Sequence, residues 1–420
     1  MQCYKICGAQ PLRGETAISG AKNAALPILA ACVLCRGPCV LHNCPDIADV
    51  ETSLAILRTL GAKTARAGST LVVDASGLTQ TAIPAALAAR MRSSVLYSGA
   101  LLAAAGAASM PLPGGCPLGR RPIDYHLQAF QKLGAKCSEF EGKYEISWEN
   151  PCGTLIELPR PSVGATENTI LAALGCKGEP TVLKNAAMEP EILDFVNFLR
   201  SAGAEISGGG TPELHILGGK PLHGTTYCVQ PDRIETATFL FATAGCGGDV
   251  LLKRTNVSDI KTITALLQQM GCELSDGQNT VRIRRNGKIS ALSNVKTAPY
   301  PGFPTDCQAL LTAALLRANG ESCIEETVFE ERFHHIPELQ KLGADLKITG
   351  NSVKIHGKNS LHGAVITAKD LRGGAALALA ALQAEGVSNL RGLAHIDRGY
   401  EHFDQKLRAL GANIVRTFAG

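Results

Sequence analysis

A residue–Gly–small turn at the end of a helix recurs six times along the chain. It reads Leu60-Gly61-Ala62, Leu133-Gly134-Ala135, Ala202-Gly203-Ala204, Met270-Gly271-Cys272, Leu342-Gly343-Ala344 and Leu410-Gly411-Ala412. Successive glycines are 73, 69, 68, 72 and 68 residues apart, so the 420 residues divide into six units of about 70. Glycine adopts the left-handed conformation that closes a helix without steric cost, and a strand then follows. The units open with a helix apolar nearly all round, for example at 23–34, 169–174, 236–244, 308–316 and 375–384. Such a helix is buried on all sides. Strands follow at 37–41, 180–184, 248–253 and 320–325. A second, amphipathic helix then leads to the glycine. In one of these, Ile192, Leu193, Phe195, Val196, Phe198 and Leu199 recur with helical period. The pattern predicts an α/β fold with helices inside and sheets outside, built as two halves of three units.

Composition removes several function classes. There are 41 basic and 37 acidic residues, a net charge of +4, with the basic residues dispersed among acids. Aromatics are 5%. Neither a basic face nor a stacking platform for nucleic acid is present. The first fifteen residues lack the apolar core of a secretory leader, which predicts a cytoplasmic protein with its fifteen cysteines reduced. Cys32, Cys35, Cys39 and Cys44 lie in or beside an apolar run without a second ligand pair, so no metal is expected. Residues 93–119 carry no charge but are rich in Gly, Ala, Ser and Pro. They read as a buried helix followed by a loop, not as a membrane span.

Chemistry should interrupt the repeat. Lys22 follows Ser19-Gly20-Ala21 at a helix start, where an ammonium beside free N–H groups makes an anion site; the plain alternative is a solvated turn lysine. Residues 112–124 form a long Gly/Pro-rich loop with Cys116, Arg120 and Arg121. Neighbouring arginines favour a reactive thiolate, and the alternative is a structural thiol. Asp306 precedes an apolar helix, where a simple N-cap is the default. Asp232-Arg233, Arg92, Asp370-Leu371-Arg372 and Asp397-Arg398 also stand at unit starts. Each arginine alone reads as a surface charge. Converging arginines and a lysine bind phosphate and carboxylate groups.

GAKNAALPILAA, GGCPLGRRPID, SVGATENTI, QPDRIETATF, PGFPTDCQA, TVFEERF and IDRGYE occur in one order along the whole chain. In this it resembles the UDP-N-acetylglucosamine 1-carboxyvinyltransferase family of enolpyruvyl transferases. The resemblance implies two inside-out α/β barrel domains, residues 1–20 with 230–420 and residues 21–229. It implies transfer of the enolpyruvyl group of phosphoenolpyruvate to the 3-hydroxyl of UDP-N-acetylglucosamine with release of phosphate, without a cofactor. Lys22 and Asn23 match the pair that anchors phosphoenolpyruvate. Arg121, Arg372 and Arg398 match the rest of that clamp. Cys116 matches the proton donor to the methylene carbon, which the epoxide antibiotic fosfomycin alkylates. Asp306 matches the carboxylate beside the sugar hydroxyl. Arg92, Arg121, Pro122, Ile123, Asp124, Tyr125, Ser162, Val163, Gly164 and Val328 match the UDP-sugar stretches.

Departures are Pro117 after the loop cysteine, Arg120 where relatives carry an uncharged residue, and Gly373-Gly374 where relatives carry bulkier small residues. Two alternatives remain. A shikimate-pathway enolpyruvyl transferase would share the repeat but lack the cysteine loop. A non-catalytic UDP-sugar-binding regulator would have lost Lys22, Cys116 or Asp306, and all three are present.

Overall fold

The computed structural model describes residues 2–114 and 123–418. The chain forms two compact units, one of residues 2–19 and 231–418 and the other of residues 20–114 and 123–230. Each is a mixed α/β assembly.

All six repeat glycines take positive φ, from 83° at Gly411 to 108° at Gly61. Each donates its N–H to the carbonyl three residues back, as Gly61 does to Arg58 and Gly411 to Arg408. In five of them the next residue reaches five residues back, for example Ala204 to Leu199 and Ala412 to Leu407. That pair of bonds satisfies carbonyls that a helix end leaves open.

In the unit of residues 20–230, the helices Lys22–Ala31, Leu96–Ala105 and Val163–Ala173 are buried over most of their length. Leu96–Ala105 realises the buried helix expected in the charge-free run. It packs on both others. The approach is closest at Gly99, where a Cβ would stand 2.2 Å from Asn168 Oδ1. Asn168 accepts from the Gly99 N–H at 3.0 Å and donates to the Val95 carbonyl at 3.0 Å. A buried amide is thereby satisfied inside an otherwise apolar contact. The amphipathic helices Ala48–Leu60, Asp124–Lys132 and Pro190–Ser201 complete the three repeats.

In the other unit, Arg233–Cys246, Gln308–Leu315 and Leu371–Gln383 are the buried helices, each packed on the other two. Five sheets repeat one pattern: a parallel pair, then two antiparallel strands. The sheet of the remaining repeat, from Ala107–Pro111, Lys143–Trp148 and Ala135–Phe140, keeps only a bridge from Ala82 to Ser109 in place of its parallel strand. The strand Gln2–Cys7 pairs with both Val387–Arg391 and Asn413–Phe418, with Lys5 opposite Asn389 and Val415. The first strand of the chain therefore completes the last repeat. No helix among the described residues is long and apolar enough to cross a membrane.

Candidate active site

Lys22 is the first residue of its helix, 9% exposed, with Nζ 2.8 Å from Asp49 Oδ2. The solvated-turn alternative is thus excluded. Asp49 lies in the first turn of Ala48–Leu60, and its presence beside Lys22 has no local signal in sequence. Gly20 explains the turn ahead of the lysine, because a Cβ there would lie 1.7 Å from the Asn43 carbonyl oxygen. Asn23 is half-buried in the same first turn.

Arg92 opens the short helix Arg92–Val95, and its charge acts on the ring of His126. Burial, reinforced by Arg92, pushes the His126 imidazole down to about 3, so the ring is neutral. Its Nδ1 lies 3.0 Å from Asn168 Nδ2. The Gly164 backbone lies against the same ring, with a built Cβ 3.4 Å from Cε1. Ser162 caps the Val163–Ala173 helix by accepting from the Ala165 N–H at 3.5 Å. Ile123 is buried, and Asp124 and Tyr125 are half-buried in the first turn of Asp124–Lys132. His126 and Gly164 thus meet from separate stretches, with the Arg92 charge acting on the same ring. His126 was not among the residues singled out by sequence. Cys116, Arg121 and Pro122, with Pro117 and Arg120, lie outside the described residues.

In the C-terminal unit, Asp306 is not an N-cap. It sits within the turn Thr305–Cys307, and neither this turn nor the Gln308–Leu315 helix has a side-chain cap. Its carboxylate accepts from Arg332 Nη2 at 2.6 Å on Oδ1, and from Arg372 Nη2 at 3.0 Å on Oδ2. Burial alone would push the carboxyl up, but Arg372 and Arg332 outweigh it and hold Asp306 well below the usual carboxylate range. The surface-charge reading of Arg372 fails, since it is 3% exposed. Arg332, at 6%, was overlooked although it stands in the TVFEERF stretch. Nη1 of Arg372 is buried without a hydrogen-bond partner among the described residues. The Arg372 guanidinium also lies 5.3 Å over the Tyr400 ring.

Asp370 caps the helix carrying Arg372, accepting from the Gly373 N–H at 2.8 Å. Gly373 and Gly374 are small for a reason. A Cβ on Gly373 would lie 2.6 Å from Asp370 Oδ2, and one on Gly374 2.8 Å from Ile396 Cγ1. Ile396 ends the short helix that precedes Asp397 and Arg398. Asp397 is tied to Arg416 Nη1 at 3.1 Å, and Arg416 Nη2 reaches the Tyr4 hydroxyl at 2.9 Å. These contacts anchor the turn that carries the half-buried Arg398. Val328 donates its N–H to Glu326 Oε1 at 2.8 Å.

The family described as EPSP synthase (3-phosphoshikimate 1-carboxyvinyltransferase) matches residues 6–407. A Carboxydothermus hydrogenoformans protein named UDP-N-acetylglucosamine 1-carboxyvinyltransferase 2 is 45% identical, over 99% of this chain and 100% of its own. A Shewanella amazonensis UDP-N-acetylglucosamine 1-carboxyvinyltransferase is 43% identical over 99% and 100%. Among solved structures, the enolpyruvyl transferase NikO from Streptomyces tendae superposes with a TM-score of 0.91 at 26% identity, over 100% of this chain and 99% of that one. An EPSP synthase from Acinetobacter baumannii gives 0.76 at 19% identity over all of both chains, a likeness of fold. The chain belongs to the enolpyruvyl (1-carboxyvinyl) transferase family that includes EPSP synthase.

Proposed function

We propose that the protein transfers the enolpyruvyl group of phosphoenolpyruvate to the 3-hydroxyl of UDP-N-acetylglucosamine and releases phosphate. This is the first committed step of peptidoglycan precursor synthesis, and the reading places it in the cytoplasm. The observation that carries it is full-length identity of 42–45% to relatives bearing that activity in their names. In the same reading each half is an inside-out α/β barrel, residues 1–20 with 230–420 and residues 21–229.

Lys22, Asn23, Arg121, Arg372 and Arg398 hold the phosphate and carboxylate of phosphoenolpyruvate. A trianionic substrate requires this density of cations. The buried, unpartnered Nη1 of Arg372 supports its part, since a buried donor without a partner is costly unless a ligand supplies one. Arg92, Ile123, Asp124, Tyr125, Ser162, Val163, Gly164 and Val328 hold the sugar nucleotide, with Arg121 and Pro122. The sugar oxygen bonds to C2 of phosphoenolpyruvate while Cys116 delivers a proton to the methylene carbon. The resulting tetrahedral adduct then loses phosphate from C2 and a proton from the methyl group. Asp306, clamped by two guanidinium groups, is ionised at every working pH. It accepts a hydrogen bond from the sugar hydroxyl and takes its proton late, as the new C–O bond acidifies it.

The test is phosphate release from phosphoenolpyruvate with UDP-N-acetylglucosamine or shikimate 3-phosphate as acceptor. Release with the sugar nucleotide alone is expected. Release with shikimate 3-phosphate alone would instead favour 3-phosphoshikimate 1-carboxyvinyltransferase activity, for which the matching family is described.

A further inference from the structure

Thr305, beside Asp306, joins two groups that the site assignment leaves out. The first is Glu326, a carboxylate 2% exposed. Its Oε1 accepts from the Thr297 hydroxyl at 2.9 Å, the Val328 N–H at 2.8 Å and the Phe329 N–H at 3.1 Å. Its Oε2 accepts from the Thr305 hydroxyl at 2.8 Å. The second is Arg332, whose Nη1 donates to the same Thr305 hydroxyl at 2.9 Å while Nη2 grips Asp306. The Arg332 guanidinium also lies 5.3 Å over the Phe329 ring. A hydroxyl has one proton to give, and here it goes to Glu326. Its lone pair then receives the arginine. The direction of every bond is thereby fixed, from Asp306 through Arg332 and Thr305 to the backbone at Val328 and Phe329.

We propose that Glu326, Thr305 and Arg332 form a positioning relay that holds Asp306 and the Val328 backbone at one fixed separation, so that the sugar nucleotide meets both at once. The proposal rests on the function above for the identity of the ligand. None of the three relay residues needs to touch it. Charge-assisted hydrogen bonds in a buried chain are short, directional and expensive to break, which is what holding a separation requires.

The joint can be cut without changing its shape. Thr305→Val removes both bonds at nearly constant volume, whereas Thr305→Ser keeps both. Thr305→Val is expected to raise KM for UDP-N-acetylglucosamine by roughly tenfold or more. KM for phosphoenolpyruvate should stay within about twofold. Thr305→Ser should behave as wild type on both. Equal rises in the two KM values, wild-type kinetics in Thr305→Val, or equal damage in Thr305→Ser would each overturn the relay.

A second readout needs no activity, and it separates this idea from the function itself. The carboxyl carbon of Asp306 is followed by NMR through an acid titration. Around Asp306 stand Arg332 and Arg372, with Asp232 and Tyr400 acting on Arg372, and with His335 feeling the charges of Arg332, Asp370 and His334. With Arg332 loosened in Thr305→Val, the Asp306 carboxyl should protonate at higher pH than in the wild type, and Thr305→Ser should match the wild type. An unmoved titration in Thr305→Val overturns the relay. An enzyme inactive with the sugar nucleotide but showing the moved titration overturns only the substrate assignment.

Discussion

Lys22 and Asp49 are two charges held 2.8 Å apart with almost no solvent, so removing one is costly whatever the lysine does in turnover. Lys22→Ala should lower stability by about 3 kcal/mol. Turnover should fall more than about 100-fold. Adding Asp49→Asn should restore at least half of the lost stability and none of the turnover, as read by denaturant melts and phosphate release. Turnover returning with stability would reduce Lys22 to a structural ion pair. Asp306 gives the complementary case. As a cap it would tolerate Asn with little loss. Clamped between Arg332 and Arg372, and with its side chain only 27% exposed, Asp306→Asn should instead cost about 2–3 kcal/mol as well as turnover. An unchanged melt in Asp306→Asn would contradict the clamp. The types of these residues and their places at helix starts were legible in the sequence. Their partners were not, because Asp49, Arg332 and His126 come from other turns of the chain, and no spacing rule links them to Lys22, Asp306 or Gly164.

The repeat glycines divide into those whose conformation alone demands glycine and those that also need room. Gly271, with φ of 91°, has nothing within 4 Å of a built Cβ. Gly271→Ala should therefore cost only the left-handed strain, about 1–2 kcal/mol. A Cβ at Gly134 would lie 2.0 Å from the Asn150 carbonyl oxygen, so Gly134→Ala should cost at least about 1 kcal/mol more than Gly271→Ala. Equal melting temperatures for the two variants would contradict this division. The positive-φ turn was readable because its cause is local to one residue. The start of the Val163–Ala173 helix was not, and the apolar pattern placed it at 169. Thr166, Glu167 and Asn168 are polar yet buried, and Asn168 is satisfied by Gly99 and Val95 some seventy residues away. A hydrophobic pattern is blind to polar groups satisfied at that distance.

For the molecule as a whole, two buried imidazoles weaken the fold in acid, against Glu167 and Glu235, whose carboxyls burial pushes up and which act in the opposite sense. His126 is pushed down to about 3 by burial and then by Arg92. His335 is pushed down to about 4 by burial, which outweighs the opposing pull of Asp370. The unfolded chain takes up these protons below about pH 6.5, while the folded chain does not. Stability from both groups is thus complete above 6.5 and is lost as the pH falls toward 4 and then 3. The fall in stability from pH 7.5 to 5 in denaturant melts should be smaller by about 2–4 kcal/mol in the double variant His126→Gln, His335→Gln than in the wild type. The same pH dependence in the double variant and the wild type would contradict neutral, buried rings. Topology at this scale was half legible. The period of the glycines marked six repeats, but the completion of the last sheet by Gln2–Cys7 depends on pairing across nearly the full length of the chain. The central claim concerns which bond the protein makes. The most direct measurement is NMR of the product formed from carbon-13-labelled phosphoenolpyruvate and UDP-N-acetylglucosamine. The predicted result is a labelled vinylidene group attached through O3 of the N-acetylglucosamine ring, with one phosphate released for each. Recovery of unmodified sugar nucleotide, or label appearing only on shikimate 3-phosphate offered beside it, would contradict the account.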